Sequence, residues 1–218
     1  MVCQLASKVF HRRNRLQGHL APNMPRVSWS LDCAPSIKGK GGKSTVLIIV
    51  DDFSKLSIMR VLPHLTSGAV FQTFMECVVS IYGRPCRVRV DGGKEFAGKF
   101  KGMLRELGIA MIVTSPGAPW TNGIAERMVG FLKQLLKKSL TGLDRSKWMD
   151  LVPYVQAAVN HTVSRVTGYS PCEVFFGEQP EPLLFAEVGP LPVVDAKLGN
   201  ECHEQVREYV QALKERLG

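Results

Sequence analysis

The first 26 positions contain no acidic residue, and Lys8, Arg12, Arg13, Arg15 and Arg26 supply the only formal charges there. A stretch of one sign cannot pair with itself; it fits either a phosphate-facing arm or a solvated flank. The chain also lacks a long apolar run. "VLIIV", ending at Val50, is far too short to span a bilayer, and the Arg-containing start has no signal-peptide core, so no membrane partner is expected. Six cysteines (Cys3, Cys33, Cys77, Cys86, Cys172 and Cys202) form no C-x-x-C and no close Cys/His pairing. Reduced thiols are the expectation, in a cytosolic or nuclear setting. No internal repeat is visible.

What is present is an ordinary globular composition with a basic excess. The 218 residues are 45% hydrophobic and 22% charged, and 28 Lys and Arg against 19 Asp and Glu leave a formal +9. One core of about 150 residues with appendages fits this length. The charge favours a polyanionic partner.

Along the chain, "RVSWSLDCAP" reads as a strand and "KGKGGKS" as a glycine-rich turn. "TVLIIVDDFS" has the β-branched, apolar character of a strand buried on both faces, and "LSIMRVLP" can pair with it. Val70, Phe71, Phe74, Cys77, Val78 and Ile81 then recur at helical spacing until "YGRP". "CRVRV" reads as a strand, "FAGKFKGMLRELG" as an amphipathic helix capped by Gly108, and "IAMIVT" as a strand. After the loop "SPGAPWTNG", helices are expected over about 124–140 and 146–163. The second has Trp148, Leu151, Val152, Val155, Ala158 and Val159 on its apolar face. A Pro/Gly-rich stretch and a polar helix over about 201–217 complete the pattern. An antiparallel meander followed by strand–helix–strand units predicts an α/β sheet extended by parallel strands.

Three acids stand where strands or loops give way to helices: Asp32, Asp91 and Glu126. Neighbouring strand ends in such a sheet converge on one crevice. Carboxylates gathered there repel one another, and a hard divalent cation relieves the repulsion. Each acid also has a plain structural reading: Asp32 as a turn former before Pro35, Asp91 as an Asx-turn residue, Glu126 as a first-turn helix acid.

The words around these acids carry a resemblance. "WSLD" ending at Asp32, "DGGKEF" from Asp91 to Phe96 and "PWTNGIAER" from Pro119 to Arg127 resemble, in order, the D,D-35-E signature of retroviral and LTR-retrotransposon integrase catalytic cores. Between Asp91 and Glu126 lie 34 residues, one short of the nominal spacing. "VLIIVDDFSKL" resembles the family's second strand. "AAVNHTVSRVTGYSPCEVFFGEQP" resembles the N-x-T, T-G-x-S-P and F-G-x-x-P words of Gypsy-like elements, so the likeness runs from about Trp29 to Pro180. Two departures stand out: Val129 replaces the Asn of E-R-x-N, and "SPGAPW" lacks the usual His or Tyr and Gln. The family's N-terminal zinc module has no counterpart; Cys3 is its one candidate remnant, and the chain reads as a polyprotein fragment or truncated copy. This divides the chain into a basic arm (1–25), a catalytic core (26–180) and a linker with a C-terminal helix (181–218).

The resemblance implies an RNase H-like fold, a five-stranded mixed sheet of meander plus parallel strands flanked by helices. It implies DNA integration by a Mg²⁺-dependent polynucleotidyl transferase and endonuclease. Asp32, Asp91 and Glu126 would be both the catalytic and the metal-binding residues, Asp32 bridging two Mg²⁺ (or Mn²⁺) ions and the others holding one each. Water as nucleophile would trim the 3′ end of retroelement DNA, and the new 3′-OH would then join it to target DNA. Asn122 matches a DNA-contacting loop position, with Gly117 and Gly123 allowing the loop to flex. Lys133 and Lys137 share the helix face of Glu126 and could meet phosphate, as could Arg12 and Arg13. A homo-oligomer on DNA, and nuclear rather than merely cytoplasmic action, are implied in the same way. Asp51 and Asp52 resemble the family's V-D-x-F-S, where the acid is no ligand, and Glu95 reads as a helix-start bystander. Two other readings stay open: a catalytically inactive, integrase-derived DNA-binding or assembly module, and an RNase H-like nuclease that cuts without joining.

Overall fold

A computed structural model of the chain describes residues 22–34, 37–39, 42–114, 130, 148–164, 167–178, 208 and 215. Strands β1 (Ser28–Cys33), β3 (Gly42–Asp51) and β4 (Ser57–Leu62) make the antiparallel meander. β5 (Arg87–Val90) adds parallel to β1, and β6 (Ala110–Val113) adds parallel to β5. The resulting five-stranded mixed sheet, in the order β4-β3-β1-β5-β6, is the RNase H-like arrangement the resemblance implied.

One short strand was not foreseen. β2 (Ile37–Gly39) pairs with the start of β3, so most of "KGKGGKS" is strand and only Lys40 and Gly41 separate the paired Gly39 and Gly42. The register passes from Cys33 opposite Leu47 to Ile37 opposite Ser44, setting three residues against two.

The sheet's two faces differ. On one, Trp29, Leu31, Leu47, Ile49, Val88 and Val90 are fully buried beneath helices. Those helices are α1 (Ser67–Phe74), capped by Thr66, whose hydroxyl accepts from the Ala69 N–H (3.2 Å), and α3 (Lys99–Glu106). α1 runs through a π-helical turn (Met75–Val79) into α2 (Ser80–Tyr82). The π turn corrects the expected apolar face. Its wider winding shifts the phase by about one residue, so Ile81 swings out to 64% exposure. Tyr82 takes the core side instead, stacking on Trp29 with ring centroids 5.8 Å apart.

On the other face, α4 (Trp148–His161) packs Trp148, Val152, Val155 and Val159 against Val46, Ile48, Val50 and Met59. Its polar residues reach β4. The Ser57 N–H donates to Asn160 Oδ1 (2.8 Å), and Asn160 Nδ2 donates back to the Ser57 carbonyl (2.8 Å). The Met59 N–H donates to Gln156 Oε1 (2.8 Å). The "TGYSP" word becomes a cap: Ser170 Oγ accepts from the Glu173 N–H (3.1 Å) at the start of α5 (Pro171–Phe176), and Gly177 ends it in the left-handed region. α5 delivers Phe175 edge-on to Trp29.

Asp51 closes the β3–β4 turn. Its Oδ1 accepts from the Phe53 N–H (3.2 Å), the Ser54 N–H (2.7 Å) and the Ser54 hydroxyl (2.7 Å), and its Oδ2 accepts from the Arg26 N–H (2.7 Å). Burial nevertheless pushes its carboxyl up to about 6, outweighing those donors.

Of the expected helix over 124–140, only Gly130 is described; of that over 201–217, only Glu208 and Glu215. All three are helical. Among the described residues no helix is long and apolar enough to cross a membrane.

Two stability predictions follow from these contacts. Asn160→Ala strips partners from two buried backbone groups and should cost about 2–4 kcal/mol, read as a lowered urea midpoint at unchanged m-value. Asp51 holds a proton in the folded state that the unfolded chain releases near pH 4. Unfolding free energy should therefore be greatest below about pH 4 and fall by about 2–3 kcal/mol as pH rises towards 6. Urea titrations across that range should show this slope in the parent and a flatter one in Asp51→Asn.

Candidate active site

β1 and β5 run parallel, with Ser28 opposite Arg87, Trp29 opposite Val88 and Ser30 opposite Arg89. Two residues further along each strand, on the same side of the pleat, come Asp32 and Asp91. Extending the register sets them side by side at the carboxyl ends of adjacent strands, which lie about 5 Å apart. This is the crevice position where open α/β sheets place ligands.

Both acids are half-buried and both are oriented by their own backbone. Asp32 Oδ1 accepts from the Cys33 N–H (2.7 Å), and Asp91 Oδ1 accepts from the Gly93 N–H (2.9 Å). The Asx-turn reading of Asp91 is thus correct, and it does not compete with a ligand role, since the turn fixes where the carboxylate points.

Glu95, read from sequence as a helix-start bystander, lies close to Asp91 and Cys33. After Asp91 the chain turns through two glycines into a 3₁₀ turn (Lys94–Phe96) before α3 begins, and Glu95 folds back toward the strand ends. A β-carbon at Gly93 would lie 2.7 Å from Glu95 Oε2 and 2.9 Å from Asp91 Oδ1. A methyl group at this position would press on both carboxylates, so one of them would have to shift. Cys33 reports the same crowding. Burial first, then the negative charges of Glu95, Asp32 and Asp91, push its thiol well above the usual range, and it is in hydrogen-bond contact with Glu95. The signal in the sequence was the D-G-G-x-E spacing itself, which permits a return that a continuous helix would not. Phe96 is buried and packs edge-on against Phe100, anchoring this turn to the core.

Beneath the acids, on the same face, lies a polar layer. Asp52 is nearly fully buried and accepts from the hydroxyls of Ser28 and of Ser30 (2.5 Å for the latter), while the Arg89 guanidinium lies 3.6 Å from its Oδ2. The Asp52 N–H donates to the Ser28 carbonyl (2.9 Å). Arg87 is also buried; burial lowers its pKa, the Arg89 charge adds to this and Asp52 opposes it. Asp51 and Asp52 are thus both structural, and alternation turns their side chains to opposite faces.

Glu126, Asn122, Lys133, Lys137, Arg12 and Arg13 lie outside the described residues, as do Gly117, Gly123 and Cys3. Among the described residues no group of three His, Cys, Asp or Glu is set to hold a metal ion. What they supply is two carboxylates at the ends of adjacent strands, Gly93 close beside them and a nearby guanidinium already paired to Asp52. That donor set fits a hard divalent cation once a further carboxylate joins it.

Comparison with known proteins agrees with this geometry. Residues 22–119 match the integrase core domain family. The chain is 28% identical over 214 residues to the Gag-Pol polyprotein of walleye dermal sarcoma virus, covering 96% of this chain and 12% of that protein. It spans less than a third of the length of the curated relatives it matches. In fold it is similar to a chain of the simian T-cell lymphotropic virus intasome in complex with PP2A regulatory subunit B56 gamma. The TM-score there is 0.60 at 21% identity, over 81% of this chain and 61% of that one. It is also similar to the HTLV-2 integrase catalytic core domain in complex with magnesium, with a TM-score of 0.55 at 22% identity, over 69% and 96%. The strand order, the paired aspartates and the match over residues 22–119 together support an integrase-type catalytic core.

Proposed function

We propose that the chain is a Mg²⁺-dependent DNA strand transferase of the integrase type, processing the 3′ ends of retroelement DNA and joining them to target DNA. The observation that carries this reading is the β1–β5 register, which brings Asp32 beside Asp91 at the sheet's carboxyl edge. The match to a catalytic core described with magnesium supports the cofactor.

In this reading Asp32, Asp91 and Glu126 would together hold two divalent ions, Asp32 being shared between them. Two divalent ions so held supply charge to both the attacking and the leaving oxygens of an in-line displacement at phosphorus. The protein's part is positional. Backbone N–H groups of Cys33 and Gly93 fix the two aspartates, and Gly93 lies close beside both Asp91 and Glu95. Asn122, Lys133, Lys137, Arg12 and Arg13 are proposed to meet DNA phosphate, giving affinity and register without sequence choice. A homo-oligomer would hold the paired DNA ends.

The deciding experiment is strand transfer by the full chain on terminal-repeat DNA with Mg²⁺. Asp32→Asn, Asp91→Asn and Glu126→Gln should each lower product by at least about a hundredfold, and chelation should abolish it. Equal activity in parent and Glu126→Gln would defeat the catalytic assignment; no product from a folded parent that still binds DNA would favour the silent DNA-binding module, and cleavage without joining would favour the simple nuclease. Gly93→Ala, whose methyl group would meet both carboxylates, should fold yet lose about tenfold in activity. Lys133→Ala and Lys137→Ala should each reduce the salt dependence of DNA binding by about one unit of slope.

A further inference from the structure

The layer beneath the acids holds a hazard for any cation site. Arg89 precedes Asp91 by two residues on the same strand face, about 6.7 Å along the strand, well within reach of its own side chain. A guanidinium that moved onto Asp91 or Asp32 would make a charge-assisted, bidentate pair and occupy the oxygens a metal needs. What meets it instead is Asp52. The Asp52 carboxylate is buried, held by the hydroxyls of Ser28 and Ser30, and 3.6 Å from Arg89 Nε. Those serines sit two and four residues before Asp32 on the same face of β1, so one carboxylate ties β1 to the arginine of β5 just below both acids.

We propose that Asp52 is a positioning residue that holds Arg89 away from Asp32 and Asp91, keeping both carboxylates available to divalent cations. The proposal rests on the metal-dependent reading above. It assigns Asp52 a purpose that fold stability does not require, because two buried strands can be joined without an ion pair, and breaking such a pair by removing one partner leaves a charge seeking another.

The two roles separate in a mutant cycle on the full chain. Mn²⁺ binding is measured by water-proton relaxation, with thermal unfolding recorded alongside. Asp52→Asn frees Arg89 and should weaken Mn²⁺ binding about tenfold. Asp52→Asn/Arg89→Gln removes the competitor as well and should recover to within about threefold of the parent, even where its melting temperature stays low. A purely structural Asp52 predicts the reverse, with the double variant binding no better than the single one, and that result overturns the proposal. Should Asp52→Asn alone fail to fold, Arg89→Gln decides: it should bind Mn²⁺ at least as tightly as the parent, and a tenfold loss would refute the idea. Parent-like binding by a folded Asp52→Asn overturns this inference alone, whereas no binding by the parent overturns the metal reading and the inference with it.

Discussion

Everything at the candidate site depends on one parallel pairing. β1 and β5 are joined at Ser28–Arg87, Trp29–Val88 and Ser30–Arg89. A slip of one residue would turn Asp91 to the opposite face and separate it from Asp32, because side chains alternate with a period of two. The pairing is protected from both sides. On the helix-covered face Trp29, Leu31, Val88 and Val90 are fully buried, so a slip would expose apolar surface. On the other face Ser28, Ser30 and Arg89 converge on Asp52. Hydrophobic burial supplies the strength of this register, and the polar layer supplies its specificity.

The second face of the sheet is divided in the same spirit. Over β3 and β4 it is apolar and closed by α4, through Val46, Ile48, Val50 and Met59. Over β1 and β5 it carries Ser28, Ser30, Asp32, Arg87, Arg89 and Asp91. A sheet can hold such a polar half only when its charges are matched within the layer, since buried ions without partners are costly. Asp52 is the shared counter-charge for both arginines, and it comes from the turn after β3, not from either strand it serves.

Much of this was legible in the sequence, and what was not had particular causes. The "VLIIV" strand declared itself by composition, the meander by three successive strand words, and the paired aspartates by motif order. Ile81 and Tyr82 were exchanged because a fixed helical period cannot foresee a π turn, which arises from tertiary fit around Trp29. The closeness of Glu95 to Asp91 was not foreseen, because the return of the chain through Gly92 and Gly93 is a matter of torsion, invisible to spacing alone. Asp52 was set aside as a ligand, and its partners lie 22 to 37 residues away in sequence, emerging only with the strand register. Glu126 was proposed from its motif alone, and it lies outside the described residues.

The contact between α4 and β4 has a consequence for how the protein behaves in company. A strand at the rim of a sheet presents unpaired backbone groups, a template onto which another chain can add. Here Gln156 and Asn160 bind the Met59 and Ser57 backbone groups, the amide of Asn160 imitating both halves of a peptide link. Over Ser57 and Met59 this rim is therefore occupied by side chains. Growth of the sheet by strand addition is opposed at this end of β4 by a helix more than 90 residues distant in the chain.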